Sequence, residues 1–281
     1  MKNREWLVWL PLILIIAWWL YDLQFQWRAL AEYQYGWLVA LLTAYLLWER
    51  WPGIPSEDRP ASLWLCSALV LIGTPFVLVA ELYKQAIANT PAASFSLSIG
   101  SAFYVMANVL YLCGWKTLRH FLFPLLFLFL AVPLPGILWS PVVLSLKELI
   151  TTLDVETLKL IGIPAVQQAN VIRLPNCVVG IDEACSGVRS LQSSIMASLF
   201  IGNLTFRRWG LQLTFLLAGM VLALTGNFLR SLYLSITAHR HGIEALERIH
   251  DTAGWSIFAF TAVGLCGIAW LVKRFEKRAA I

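Results

Sequence analysis

The chain is short of charge. Asp, Glu, Lys and Arg make up 13% of its 281 residues, against 59% hydrophobic residues and 14 Trp, whereas a soluble domain carries about 25% charged residues. So few charges cannot solvate a globular surface of this size. A soluble enzyme is excluded, and a polytopic membrane protein is left. A continuous basic stripe is missing too, because the net charge of +5 is scattered over short loops. That excludes a nucleic-acid interface and makes the charge a topological signal. The five cysteines and four histidines show no CxxC and no zinc-ligand spacing, so neither a metal nor a cofactor is expected. Internal repeats, low-complexity tracts and a separate soluble domain are also lacking.

What the chain does have is apolar length. Lys2 and Arg4 precede a run from Leu7 to Leu20 that is followed by no small-x-small cleavage site, so it reads as an uncleaved first transmembrane helix. A hydrocarbon core of about 30 Å needs roughly 20 apolar residues per helix. On that ruler about eight spans emerge, over 6–21, 34–51, 62–83, 95–115, 118–138, 186–204, 209–232 and 253–272. Ser94, Ser96, Ser98 and Ser101 make the fourth the weakest. Pro133-Leu134-Pro135-Gly136 breaks the fifth near the interface. With the amino terminus inside, the cytoplasmic segments hold 12 of the 21 basic residues and only five of the 16 acidic ones, as the positive-inside rule requires. The fold class is therefore an all-α, multi-pass protein of the inner (cytoplasmic) membrane, with residues 1–281 forming a single transmembrane domain.

The one sizeable segment between spans, 139–185, falls on the extracytoplasmic side. Val143, Leu146, Leu149, Ile150 and Leu153 alternate at helical spacing with Lys147, Glu148, Thr152 and Asp154, which predicts an amphipathic helix at the interface, its acids facing outward. Val166–Leu174 and Cys177–Ile181 flank Pro175-Asn176 and predict a short β-hairpin. That hairpin leads to Cys185 at the mouth of the sixth helix.

Cys66, Cys113 and Cys266 lie in apolar runs and read as packing residues. Cys185 stands just before a helix, with Arg189 one turn on and the open backbone of Ser186-Gly187 beside it. Both features favour a thiolate and an oxyanion pocket. A Cys177–Cys185 disulfide, or simple packing, accounts for the same residue equally simply. Arg230 sits at the membrane boundary, one turn after Asn227, either as a functional cation or as a snorkelling anchor. His250 titrates near neutrality and is expected in a loop, Gly242–Asp251, that leads into the last helix. Asp251 or Glu183 can orient it, while His239 and His241 compete for its role. Together a Cys, an Arg and a His on one outer face can perform acyl transfer.

At these residues the sequence resembles the exosortase/archaeosortase family. Ala184-Cys185-Ser186-Gly187 matches its A-C-S-G segment, Asn227-Phe228-Leu229-Arg230 its N-x-x-R segment, and His250 its histidine before the last helix. The resemblance implies a membrane cysteine protease or transpeptidase with Cys185, Arg230 and His250 as catalytic residues. It implies exported partner proteins ending in a sorting tail, made of a short PEP-type (PEP-CTERM-like) motif, a transmembrane helix and a basic cluster. It also implies membrane lipid as surroundings, a lipid or glycan as possible acceptor, and a link to surface sorting and extracellular polysaccharide. A transporter or polysaccharide-export component would equally explain the spans and the basic charge. It predicts ionisable groups near helix midpoints, whereas here they cluster at one boundary.

Overall fold

The computed structural model describes residues 8–55, 62–180 and 187–278, apart from the side chains of 250, 251 and 275–278. Among the described residues eight α-helices and three short strands follow in order. They are α1 (Leu10–Ala29), α2 (Gly36–Arg50), α3 (Leu63–Ala86), α4 (Pro91–Phe127), α5 (Gly136–Leu160), β1 (Val166–Gln168), β2 (Val171–Arg173), β3 (Val178–Gly180), α6 (Val188–Thr205), α7 (Trp209–His241) and α8 (Ile243–Arg278). The chain divides into two compact units, Met1–Leu138 and Trp139–Ile281.

Among the described residues, five helices are long and apolar enough to cross a membrane: α3, α4 with the turn after it, α5, α7, and Thr252–Arg274 of α8. The sequence reading expected eight spans. Among the rest, α2 has only 15 residues, and α6 carries Arg189, Gln192, Asn203 and several serines. Conversely α5, expected to lie at the interface, meets the criterion. The fourth and fifth expected spans run together as α4, where Gly114 (φ 84°, ψ −179°) divides one helix from the next. A residue with a side chain would be strained there, so the glycine permits the kink.

In the amino-terminal unit the serines that dilute α4 have a use. Ser94, Ser98 and Ser101 are buried. Trp19 Nε1 of α1 donates to Ser98 Oγ at 2.8 Å, and Gln26 Nε2 donates to Ser94 Oγ at 3.2 Å. Beside them Lys84 Nζ lies 2.6 Å from Asp22 Oδ1. These bonds take up between helices polar atoms that would be costly against lipid, while Ser101 Oγ has no hydrogen-bond partner among the described residues.

The carboxy-terminal unit is built on α7. Helix α6 approaches it through small residues: Ser194 Oγ donates to Gly219 O at 2.7 Å, and a Cβ at Gly219 would come 2.1 Å from Ser198 Oγ. Beyond α5 the chain folds into a three-stranded antiparallel sheet in the order β1-β2-β3. The stretch Val166–Leu174, expected to be continuous, turns back at Ala169-Asn170, with Ala169 at φ 53°. Arg173 then pairs with Val178 across Pro175-Asn176. The sheet's inner residues Ile172 and Val179 share a core with Val155 and Leu158 of α5 and Leu234 and Ala238 of α7. Asn176 fastens the turn to α7 by donating from Nδ2 to His239 O at 2.6 Å, with its Oδ1 3.1 Å from His239 Nδ1.

Two expectations fail here. The stretch after Gly242 is helix, not loop. One residue in the left-handed region (Gly242, φ 85°) makes the turn, and Ile243-Glu244-Ala245-Leu246-Glu247-Arg248 are good helix formers with an acid in the first turn. Polarity alone had suggested a loop. Asp154, expected to face outward, is fully buried in the stripe of Ile150, Thr151, Val155 and Leu158, while Leu149 and Leu153 are exposed.

Candidate functional site

The buried face of α7 carries Gly219, Ala223, Asn227, Ser231, Leu234 and Ala238, at spacings of three and four residues. Its middle holds the polar part. Asn227 is 2% exposed and its side chain lies directly on Gly187, the residue before α6. A Cβ built on Gly187 would sit 2.7 Å from Asn227 Nδ2 and 2.8 Å from its Cγ. Gly187 also has φ 84°, a left-handed conformation that starts α6. Sterics and backbone therefore both demand glycine at this position. Ser190 Oγ donates to Gly187 O at 2.9 Å and closes the first turn.

One turn along α7, the half-buried Arg230 reaches α8. The nearest atoms to a Cβ at Gly254 would be Arg230 Nη2 at 3.4 Å and Cζ at 3.7 Å. The guanidinium therefore lies beside α8 at Gly254, at a distance that even a Cβ there would meet as an ordinary contact. His250 belongs to the same helix, one turn before Gly254. Residues flanking the cysteine segment and the histidine segment thus each touch the Asn227–Arg230 segment.

Cys185, Ser186 and Glu183 lie outside the described residues, as do the side chains of His250 and Asp251. Gly187 and Asn227 are brought together, and Arg230 is brought to α8. Arg189, in contrast, is exposed at the start of α6. His239 is engaged by Asn176 and serves as a tie between turn and helix. Cys177 carries a free thiol, and burial pushes its pKa above the ordinary value, so it holds less thiolate at neutral pH than an exposed cysteine would. No group of three metal-ligating side chains occurs among the described residues.

The family model described as transmembrane exosortase (Exosortase_EpsH) matches residues 27–267. The chain belongs to that family. The match spans both units and includes all three sequence segments discussed above, so this exosortase carries them within the matched region. Comparisons with curated proteins and with solved structures return no match.

Asp154, which the sequence reading assigns to the outward face of α5 and not to the site, also reaches this turn of α7. It is 0% exposed, and its Oδ2 accepts a hydrogen bond from Ser231 Oγ, the residue after Arg230. Its Oδ1 has no hydrogen-bond partner among the described residues. A signal existed: Val143, Ile150, Asp154 and Leu158 recur at spacings of four and seven, which puts the aspartate on the buried stripe.

Proposed function

We propose that this exosortase is a membrane-embedded cysteine protease or transpeptidase that removes C-terminal sorting tails from exported proteins on the extracytoplasmic side of the inner membrane. The observation that carries the reading is the pair of contacts made by α7, Asn227 on Gly187 and Arg230 on Gly254. Covalent connectivity keeps Cys185 within about 7 Å of Gly187, and His250 is one helical turn from Gly254. Counted on the eight spans expected from the sequence, the positive-inside rule puts these residues at the outer boundary.

In the first step the Cys185 thiolate attacks the carbonyl carbon before the tail. The oxyanion is stabilised by Arg230 and by backbone amides around Ser186-Gly187. The C–N bond then breaks, His250 gives its proton to the leaving amine, and a thioester remains. In the second step water, or a hydroxyl or amine of a lipid or glycan, attacks the thioester. The C–S bond breaks, the thiolate returns, and the acceptor's proton passes to His250. Asn227 holds the glycine turn and Asp251 or Glu183 orients the imidazole, while the exposed Arg189 adds positive charge near the thiol.

The test is coexpression with an exported reporter ending in a PEP-type motif, a transmembrane helix and a basic cluster, its mass followed over time. Cys185→Ala is expected to abolish processing, and Arg230→Ala to slow it by about 100- to 1000-fold. Full processing by Cys185→Ala would overturn the assignment. Labelling of Cys185 in intact cells with an impermeant maleimide checks the side, and reaction only from the cytoplasm would refute the topology.

A further inference from the structure

Among the described residues of the carboxy-terminal unit, Asp154 is the most buried ionisable group that the proposed reaction does not use. A carboxylate with no exposure and one oxygen without a hydrogen-bond partner among the described residues is costly to maintain. Packing alone would be served better by an apolar residue of similar size. Its position shows what it holds. Ser231, its hydrogen-bond partner, follows Arg230 in sequence and lies one helical turn after Asn227, on the same buried face of α7. The hydrogen bond therefore pins α5 to α7 at the turn from which Asn227 reaches Gly187 and Arg230 reaches Gly254. One side of this turn faces α6 and another faces α8, so sliding or rotating α7 would spoil both contacts together.

We propose that Asp154 is a positioning residue of the candidate active site: through Ser231 it fixes the register of α7, and so the placement of Asn227 against the cysteine turn and of Arg230 against α8. This rests on the transpeptidase reading, with Cys185 as nucleophile. The carboxylate touches no reacting atom. Its part is to hold the groups that do, in a site where a misplacement of about 1 Å costs on the order of 100-fold in rate.

The test uses the full-length protein in membranes with the tailed reporter, comparing Asp154→Ala, Asp154→Asn and Ser231→Ala with wild type and Cys185→Ala. Rates are normalised to folded enzyme, measured as the monodisperse fraction after detergent extraction. Asp154→Ala is expected to lose about 100-fold in kcat with little change in KM, because orientation and not substrate binding is lost. Asp154→Asn keeps an oxygen that accepts from Ser231 and is expected to stay within about fivefold of wild type, the worth of one modest hydrogen bond. Ser231→Ala should fall between them. An independent readout is the rate of Cys185 alkylation by iodoacetamide at neutral pH, followed by mass spectrometry. It should drop by about tenfold in Asp154→Ala as the cation beside the thiol moves, the change that one unit of thiol pKa produces. Normal kcat and alkylation per folded molecule in Asp154→Ala, with less protein folded, would overturn the proposal and leave a packing role. Equal loss in Asp154→Asn and Asp154→Ala would overturn it too, because the charge and not the clamp would then matter. If Cys185→Ala still processes the reporter, it is the transpeptidase reading that fails.

Discussion

Asn227 closes over Gly187 so tightly that a Cβ on the glycine would lie 2.7 Å from the asparagine Nδ2. The two residues come from segments 40 positions apart, and the contact requires glycine at 187. Gly187→Ala meets two penalties. The left-handed backbone (φ 84°) costs an alanine about 1–2 kcal/mol, and the overlap forces Asn227 or the turn to move. Lower thermal stability of the detergent-purified protein is expected, with processing down by about 100-fold. Adding Asn227→Ala should recover part of the stability, since the closest atoms are gone, but not the processing. Wild-type stability and rate in Gly187→Ala would show that the contact holds nothing in place.

Gly254 offers a graded version of the same question. A Cβ there would stand 3.4 Å from Arg230 Nη2, an ordinary contact in a helix that favours alanine over glycine. Gly254→Ala is therefore expected to fold at least as well as wild type and to process the reporter within a few-fold of its rate. Gly254→Leu occupies the space of the guanidinium. It should keep the folded yield, because Arg230 is long enough to turn aside, yet approach the rate of Arg230→Ala. Equal activity in the alanine and leucine variants would mean that Arg230 does not work from this position.

The membrane class and the three polar segments were legible because they rest on composition and on local residue order. Apolar length predicted helices wherever they occur, and the Cys185, Arg230 and His250 segments stand out against an apolar background. Orientation of individual faces was harder to read. Asp154 looked like a solvent-facing acid because polarity usually means exposure, but its place in the i, i+4 stripe decides its side and Ser231 makes burial tolerable. The stretch after Gly242 looked like a loop because it is polar, although its residues are good helix formers and one positive-φ glycine suffices for the turn. The serines of α4 weakened a span on paper. In the fold Ser98 and Ser94 bind Trp19 and Gln26, partners that sequence periodicity cannot reveal.

The α6–α7 seam tests whether small residues hold the carboxy-terminal unit together. A Cβ at Gly219 would come 2.1 Å from Ser198 Oγ and 3.0 Å from Leu265 Cδ2. Gly219→Ala is expected to destabilise the protein by about 1–3 kcal/mol through overpacking, seen as a lower melting temperature in detergent. Ser198→Ala alone removes a buried hydroxyl and should cost little. The double variant should regain much of the loss, because the hydroxyl is the nearest obstruction. Additive losses would show that the helices separate rather than repack.

Cys177 supplies the pH-dependent prediction. Burial raises its thiol pKa, so at any given pH its thiolate fraction lies below that of an exposed cysteine. The deficit shrinks only as the pH climbs through the raised value. In membranes at pH 7, alkylation of Cys177 is expected to be slower than that of an unstructured cysteine peptide. The rate should rise with pH along a curve displaced to the alkaline side, and unfolding in detergent should abolish the displacement. Cys185, which the proposed mechanism sets beside a helix start and a cation, should show the opposite displacement. The two curves, measured in one sample by mass spectrometry of their separate peptides, provide a sign test that needs no substrate. Coincident curves would remove the electrostatic distinction between the thiols, and reactivity at both sites only after reduction would reveal a disulfide between them.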